Sequence, residues 1–232
     1  MRTAEELADL ADLDDLDALL ADRHSCRAFA PEGVPEPVLR AVLATAQRTA
    51  SWCNTQPWQV HVVSGAARDR LSRALRERVP AGPPAPDLDV PPGYTGVHDE
   101  RRRESGLALY ASLGIERGDR AARDEQALRN FDFFGAPHAL VVTTDRSQGT
   151  YGAVDCGGYV ATLLLAARAA GLATCAQAAV AMYSDVVRTQ LGLAEGRAVV
   201  CAVALGRADP THPVNAFRTS RADVDDVATF VR

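Results

Sequence analysis

The sequence predicts an α/β or α+β fold in which a small sheet is covered by helices on both faces. Three observations carry this expectation. Strand-like apolar runs are few: Trp58 to Val63, His138 to Thr144 and Ala198 to Leu205. The runs are separated by stretches whose apolar residues recur at helical spacing. Glycine and proline punctuate the boundaries, as at Gly135-Ala136-Pro137, Gly171 and Gly206.

Taken in order, Leu7, Leu10, Leu13, Leu16 and Leu20 predict one helix over residues 4–22. A short polar stretch follows, Arg23-His24-Ser25-Cys26-Arg27-Ala28-Phe29. Pro35 opens a second helix with Val38, Leu39, Val42, Leu43 and Ala46 on its apolar face, ending near Ala50. The loop from Ser51 to Pro57 runs into the first strand, and a helix covers about Ala66 to Val79. Six of the thirteen prolines then fall between Pro80 and Pro92, which excludes a helix or a central strand there. A charged helical excursion is expected from about His98 to Asn130. After the second strand a long helix spans about Tyr151 to Ala170, and its small residues, among them Gly152, Gly157 and Gly158, permit close approach by a neighbour. Leu172 to Ala181 reads as a loop, followed by a helix to Leu191 and the last strand. The tail from Arg207 to Ser220 reads as irregular, and Asp223 to Val231 as a final short helix.

Composition excludes several classes. The 232 residues are 47% hydrophobic and 24% charged, as in ordinary soluble domains and unlike disordered or collagen-like chains. The net charge of −5 argues against a general nucleic-acid binder. All 25 basic residues are arginine, which rules out Schiff-base lysine and P-loop chemistry. The acidic start lacks the basic, apolar pattern of a secretory signal, and no stretch approaches the ~20 apolar residues of a membrane span. Five widely spaced cysteines carry no CxxC or zinc spacing, so no metal site is expected, and a reducing cytoplasm is the expected compartment.

Four segments carry chemistry-bearing residues. Arg23, Ser25 and Arg27 place two guanidiniums and a hydroxyl together, a set suited to a phosphate or to ordinary solvent exposure. Cys26 and His24 have the residue types of a nucleophile and a base, but sequence neighbours rarely face each other. Asn54, Gln56 and Trp58 supply amides and an indole, for a ring with donor and acceptor edges or for a hydrogen-bonded loop with Trp58 in the core. Thr174 to Ala179 offers small residues over which a flat ligand can meet backbone, or a plain turn. In the tail, Asn215 to Arg221 holds a second arginine cluster that can converge with the first on one phosphate. Within the excursion, Asp99 and Arg103 are spaced to pair on a helix, while Tyr94, Tyr110, Phe131, Phe133 and Phe134 either line an apolar pocket or pack the segment.

The order of these segments resembles that of the FMN-dependent nitroreductase family: Arg23 to Phe29, Ser51 to Trp58, Gly171 to Ala178 and Phe217 to Arg221. The excursion with Glu100 to Arg103, Tyr110, Leu113-Gly114-Ile115 and Arg129 to Pro137 looks like that of the subgroup reducing nitrobenzoates and related nitroaromatics. The resemblance implies one domain over 1–232, with an acidic helical extension at 1–20 and a lid at 80–130. It implies a central mixed sheet flanked by helices and an intertwined homodimer with two FMN molecules at its interface. Arg23, Ser25 and Arg27 then hold the FMN phosphate and ribityl chain with His24 alongside, and Arg221 and Arg218 close on the phosphate from the tail. Asn54 and Gln56 reach the flavin from the partner subunit, with Trp52 and Cys53 close by. Cys175, Ala176, Gln177 and Ala178 run along the isoalloxazine ring. Two departures stand out: Gln177 lies where some members have a glutamate, and the tail has arginine where many have lysine.

The activity the resemblance implies is a two-step exchange in which NAD(P)H reduces FMN and a nitroaromatic or quinone-like compound then accepts two electrons, with no side-chain nucleophile. Tyr94, Arg101, Arg102, Tyr110 and Phe134 are the expected substrate contacts, the arginines toward a carboxylate. The rival readings are an FMN enzyme acting on a biosynthetic intermediate and a flavin-binding protein without turnover. The expected partners are a second copy and a small aromatic molecule, not nucleic acid or membrane.

Overall fold

The structure, a computed structural model, describes residues 11–232. The expected first helix appears there as α1 (Ala11–Asp22), while its Leu7 and Leu10 lie outside the described residues. Next come α2 (Glu36–Ala46), β1 (Trp58–Ser64), α3 (Gly65–Arg78), α4 (Gly96–Ser112), α5 (Arg120–Leu128) and β2 (His138–Asp145). The chain continues through α6 (Gly149–Ala169), β3 (Ala173–Gln177), α7 (Ala178–Ala181), α8 (Ser184–Leu191) and β4 (Arg197–Gly206).

The strands form one sheet in the order β1-β2-β4-β3. All three pairings are antiparallel, so the parallel component of the expected mixed sheet is confined, among the described residues, to the single bridges Ser25↔Thr174 and Ala85↔Tyr183. The two inner strands are covered on both sides. Ala139 and Val141 of β2 face a cluster with Leu71 and Leu75 of α3, Val187 of α8 and Phe131, Phe133 and Phe134. Leu140 and Val142 face the opposite cluster, with Leu39 and Val42 of α2 and Tyr159 and Leu163 of α6. Period-two alternation thus sends Ala139 to Val142 into one core or the other, which is why this part of the strand reads as a continuous apolar run. Close packing of α6 rests on Gly152, where an added Cβ would lie 2.5 Å from Gln148 Cβ and 3.0 Å from Thr144 Oγ1.

Three expectations change. Leu172 to Ala181 is not a loop: it contains edge strand β3, paired to β4 from Ala173↔Gly206 to Gln177↔Ala202, and the short α7. The final helix reduces to a single turn at Val224–Asp226, because Asp225 and Asp226 bring charge and no buried face. Phe131, Phe133 and Phe134 pack the core rather than a pocket, and Phe133 and Phe134 both hold left-handed backbone at φ 56°.

The proline-rich segment is clasped to the sheet at one residue. The Asp87 carboxylate takes both oxygens to Arg188 Nη2 at 2.9 and 2.8 Å, pairs with Arg146 and accepts the Val199 N–H at 2.9 Å. Ala85 N–H also donates to Met182 O at 2.8 Å. Beyond this clasp, α4 has no buried residue. On the opposite side, the Val34 N–H donates to His138 Nε2 at 2.9 Å, which places the ring proton on Nδ1, 2.6 Å from Ser64 Oγ.

Replacing Asp87 with Ala leaves the Val199 N–H and two guanidiniums without their acceptor, and the expected loss is ~2–3 kcal/mol of unfolding free energy by urea titration; a loss below ~0.5 kcal/mol would remove the clasp from the stability account. Burial holds the His138 pKa below its ordinary 6.5, and burial followed by the charge of Arg197 does the same for His61. A folded value below the unfolded one contributes stability above the unfolded pKa, lost as pH falls through the folded one. The melting temperature should therefore fall between about pH 7 and about pH 5.5, and His138→Gln should flatten part of that slope. An unchanged slope would show that His138 does not carry it.

Candidate functional site

The segment from Arg23 to Phe29 lies in a seam between β3 and the tail. On one side the Cys26 N–H donates to Thr174 O at 2.9 Å. On the other, Asn215 Oδ1 accepts the Arg27 N–H at 2.9 Å, and Asn215 Nδ2 donates to Ala28 O at 2.8 Å and Asp209 O at 2.9 Å. Asn215 therefore joins the two arginine clusters. The sequence offered it only as one more polar residue of the tail.

The seam opens into a cavity of about 380 Å³ lined by Leu20, Ala21 and the first arginine cluster, by Ser105 of α4 and by Phe217, Arg218, Thr219 and Arg221 of the tail. Arg23, His24, Ser25, Arg27, Arg218 and Arg221 all reach it, and no carboxylate lines it. Among the described residues none of its four arginines belongs to an ion pair. Three of them, Arg27, Arg218 and Arg221, are held by neutral partners instead. Arg27 Nη1 donates to Ser25 O at 3.3 Å and its guanidinium lies 5.7 Å over the Phe217 ring. Arg218 Nη1 donates to Asn215 O at 2.8 Å, and Arg221 Nη1 to Thr219 Oγ1 at 2.8 Å. Their positive charge is thus gathered but not neutralised, as an anion-binding cavity requires.

The Cys26 and His24 pair is not a nucleophile and base. Cys26 is fully buried, its Sγ–H donates to Ala28 O at 3.1 Å, and burial pushes the thiol up to about 11. His24 donates from Nδ1 to Asp22 O at 3.0 Å, which leaves its buried Nε2 without a protein partner.

β3 runs beside the seam with its side chains alternating. Cys175 and Gln177 point inward, while Ala176 and Ala178 stand exposed. Gln177 does not project from the strand: its Nε2 donates to Asn130 O at 2.7 Å and its Oε1 is buried without a partner. The neutral amide at this position is thus engaged inside the protein.

Trp52, Cys53, Asn54 and Gln56 do not line the arginine cavity. Their loop is exposed, with left-handed backbone at Cys53, Asn54 and Gln56 (φ 51°, 55° and 46°). Gln56 Nε2 donates to Asn54 Oδ1 at 3.1 Å, and Gln47 Nε2 donates to Gln56 Oε1 at 2.9 Å. Trp52 is 60% exposed, its ring lies 4.6 Å from that of Tyr151, and its backbone N–H donates to Asp155 Oδ2 at 3.1 Å. Trp58 takes the core position, stacked on Tyr159 at 4.9 Å.

The expected substrate contacts divide. Phe134 is 2% exposed and belongs to the core, which corrects its place in a pocket. Arg102 pairs with Asp99 at 2.9 Å, as does Arg103 at 2.8 Å, the latter at the expected spacing of four. Tyr94 is exposed, and Tyr110 carries the Arg123 guanidinium 5.5 Å over its ring. Arg101 lines a second cavity, of about 680 Å³, between α4 and the tail, which shares Ser105, Arg218, Thr219 and Arg221 with the first.

Comparison with known proteins gives a coherent picture. Residues 20–207 match the model of the Nitroreductase family. The chain is 40% identical over 220 residues to nitroreductase NfnB of Mycolicibacterium smegmatis, covering 92% of each chain. It is 36% identical to a 4-nitrobenzoate reductase of Nocardioides sp., covering 98% of this chain and 94% of that one. Its structure superposes with a TM-score of 0.90 on the crystal structure of the FMN-dependent nitroreductase NfnB from Mycobacterium smegmatis in complex with NADPH, at 38% identity, covering 95% of this chain and 99% of that one.

Thiol chemistry checks the site's inert cysteines. Of the five free cysteines only Cys53 is exposed, and burial raises the thiols of Cys26, Cys156, Cys175 and Cys201. In native protein at about pH 8, a colorimetric disulfide reagent should leave Cys26, Cys156, Cys175 and Cys201 unmodified, with all four reacting on unfolding. Rapid labelling of Cys26, located by peptide mapping, would restore it as a reactive group.

Proposed function

The chain belongs to the nitroreductase family, and from this premise we propose that it is an FMN- and NADPH-dependent oxidoreductase that reduces nitroaromatic compounds. The observation that carries the reading is the convergence of Arg23, Arg27, Arg218 and Arg221, from both ends of the chain, on one cavity that holds no carboxylate.

This donor set fits FMN. A phosphate dianion needs several charge-assisted donors, and the cavity provides four guanidiniums and the Ser25 hydroxyl. The buried, unpartnered Nε2 of His24 offers an acceptor to a ribityl hydroxyl. The exposed Ala176 of β3 and Ala178 at the start of α7 leave room for a flat ring to meet the backbone beside that phosphate site. Bound there, FMN would supply the redox chemistry, a two-electron relay between the nicotinamide donor and the nitro group. The chain's own contribution is to hold the phosphate and ribityl chain, to present the β3 backbone to the ring and to shape the space above it.

The reading includes a homodimer, a lid and a cytoplasmic setting. Leu13, Leu16 and Leu20 of α1 are each more than 40% exposed, and Trp52, Tyr151 and Val154 form a second exposed apolar set. Such surfaces call for burial against another chain. In the dimer, Trp52, Cys53, Asn54 and Gln56 reach the flavin of the partner, which accounts for their distance from the arginine cavity of their own chain. The segment 80–130, clasped at Asp87, serves as the lid over the substrate, with Tyr94 and Tyr110 as contacts. Five free thiols and a reduced nicotinamide donor suit a reducing cytoplasm. No helix among the described residues is long and apolar enough to cross a membrane.

The purified protein should show flavin bands that bleach on anaerobic addition of NADPH and return when a nitroarene is added. The Arg23→Ala, Arg221→Ala double variant should bind FMN about tenfold to a hundredfold more weakly, because two charge-assisted bonds to phosphate are lost. Protein that takes up no flavin, or flavin that NADPH leaves oxidised, would overturn the reading.

A further inference from the structure

The proposed reaction needs a dinucleotide as well as FMN, and a second charged cavity stands against the first. The two share the wall made by Arg218, Thr219 and Arg221, but Arg101 belongs to the second alone. We propose that the second cavity receives the adenosine 2′-phosphate end of NADPH and that Arg101 sets the preference for NADPH over NADH. The proposal rests on reading the first cavity as the FMN phosphate site.

The run Arg101-Arg102-Arg103 singles out one residue. Asp99 binds both Arg102 and Arg103, and Arg101 has no ion pair among the described residues. The uncommitted guanidinium is the one that faces the tail. Around it the cavity places the hydroxyls of Ser105, Thr219 and Ser220, and the apolar surfaces of Ala108, Ala222 and Val227. A guanidinium with hydroxyls matches a phosphate monoester, and the apolar patch matches a purine face. Two carboxylates also line the cavity, Glu104 and Asp226, against three guanidiniums. Glu104 is engaged, accepting the Ser220 Oγ–H at 3.1 Å.

Size separates the occupants. At about 680 Å³ the space far exceeds what a nitrobenzoate carboxylate requires, and it is larger than the neighbouring 380 Å³ cavity. An adenosine phosphate uses both its charged and its apolar walls. A preference for the 2′-phosphate then arises from one side chain, because NADH presents only a hydroxyl there.

The test compares the flavin-loaded wild type with Arg101→Gln and Arg101→Lys. Arg101→Gln is expected to lower kcat/KM for NADPH at least tenfold more than kcat/KM for NADH, with FMN content equal to wild type, and Arg101→Lys to keep most of the preference. By calorimetry, adenosine 2′,5′-bisphosphate should bind wild type more tightly than adenosine 5′-monophosphate, and that advantage should vanish in Arg101→Gln. Equal losses for both donors would overturn the proposal, as would a bisphosphate that does not bind or that binds both proteins alike. A loss confined to 4-nitrobenzoate and absent for nitrobenzene would give the cavity to the oxidant instead. Protein without flavin would sink the FMN reading, while the calorimetric comparison would still decide the role of Arg101.

Discussion

The site depends on how the short segment after α1 is fixed. Residues 23–29 form no helix or strand of their own, yet they hold two of the four cavity arginines, Arg23 and Arg27. Their backbone polar groups are satisfied from both sides, by Thr174 of the edge strand and by the Asn215 amide, while Ala30 N–H reaches Arg207 O at 2.9 Å. A buried irregular segment is stable only when its backbone groups find such partners. The same bonds that satisfy the segment bring the two ends of the chain together. Charge convergence is therefore a result of backbone accounting, not of attraction between like-charged arginines, which repel.

That arrangement also explains what the sequence revealed. The inner strands were legible because burial on both faces demands unbroken apolar runs, as in His138–Asp145, where every residue but the last is buried. The helices on either side were legible from their spacing. β3 was not, because Ala173-Thr174-Cys175-Ala176-Gln177 has no run of large or β-branched apolar residues. It is a strand because β4 supplies partners on one edge and residues 25–26 on the other, and neither is local in sequence. The two arginine clusters were visible as residue types, but their meeting was set by Asn215, an amide indistinguishable in sequence from any other loop residue. Gln177 shows the opposite limit: its position matched a motif, but the direction of its side chain was decided by Asn130.

The aromatic residues before β2 illustrate a competition between local and global preference. Phe133 and Phe134 sit in left-handed backbone, which costs an L-residue with a bulky side chain about 1–2 kcal/mol apiece. Both are nevertheless almost completely buried against α3 and the sheet. Burying a phenylalanine contributes about 1.5–3 kcal/mol, so packing outweighs strain. No reading of local propensity finds such a turn, because its justification lies in elements far along the chain.

The clasp at Asp87 has a bearing on how the molecule can change over generations. It ties the chain to the sheet just before the segment that carries Tyr94, Arg101 and Tyr110, and α4 buries none of its residues. Mutations in that helix therefore act on a part of the molecule that the core does not need. Substitutions there are released from the packing constraints that govern β2 and β4, so ligand preferences can diverge among descendants while the scaffold stays the same. Evolvability here is a property of one carboxylate: it marks where inheritance must be faithful and where it is free to experiment.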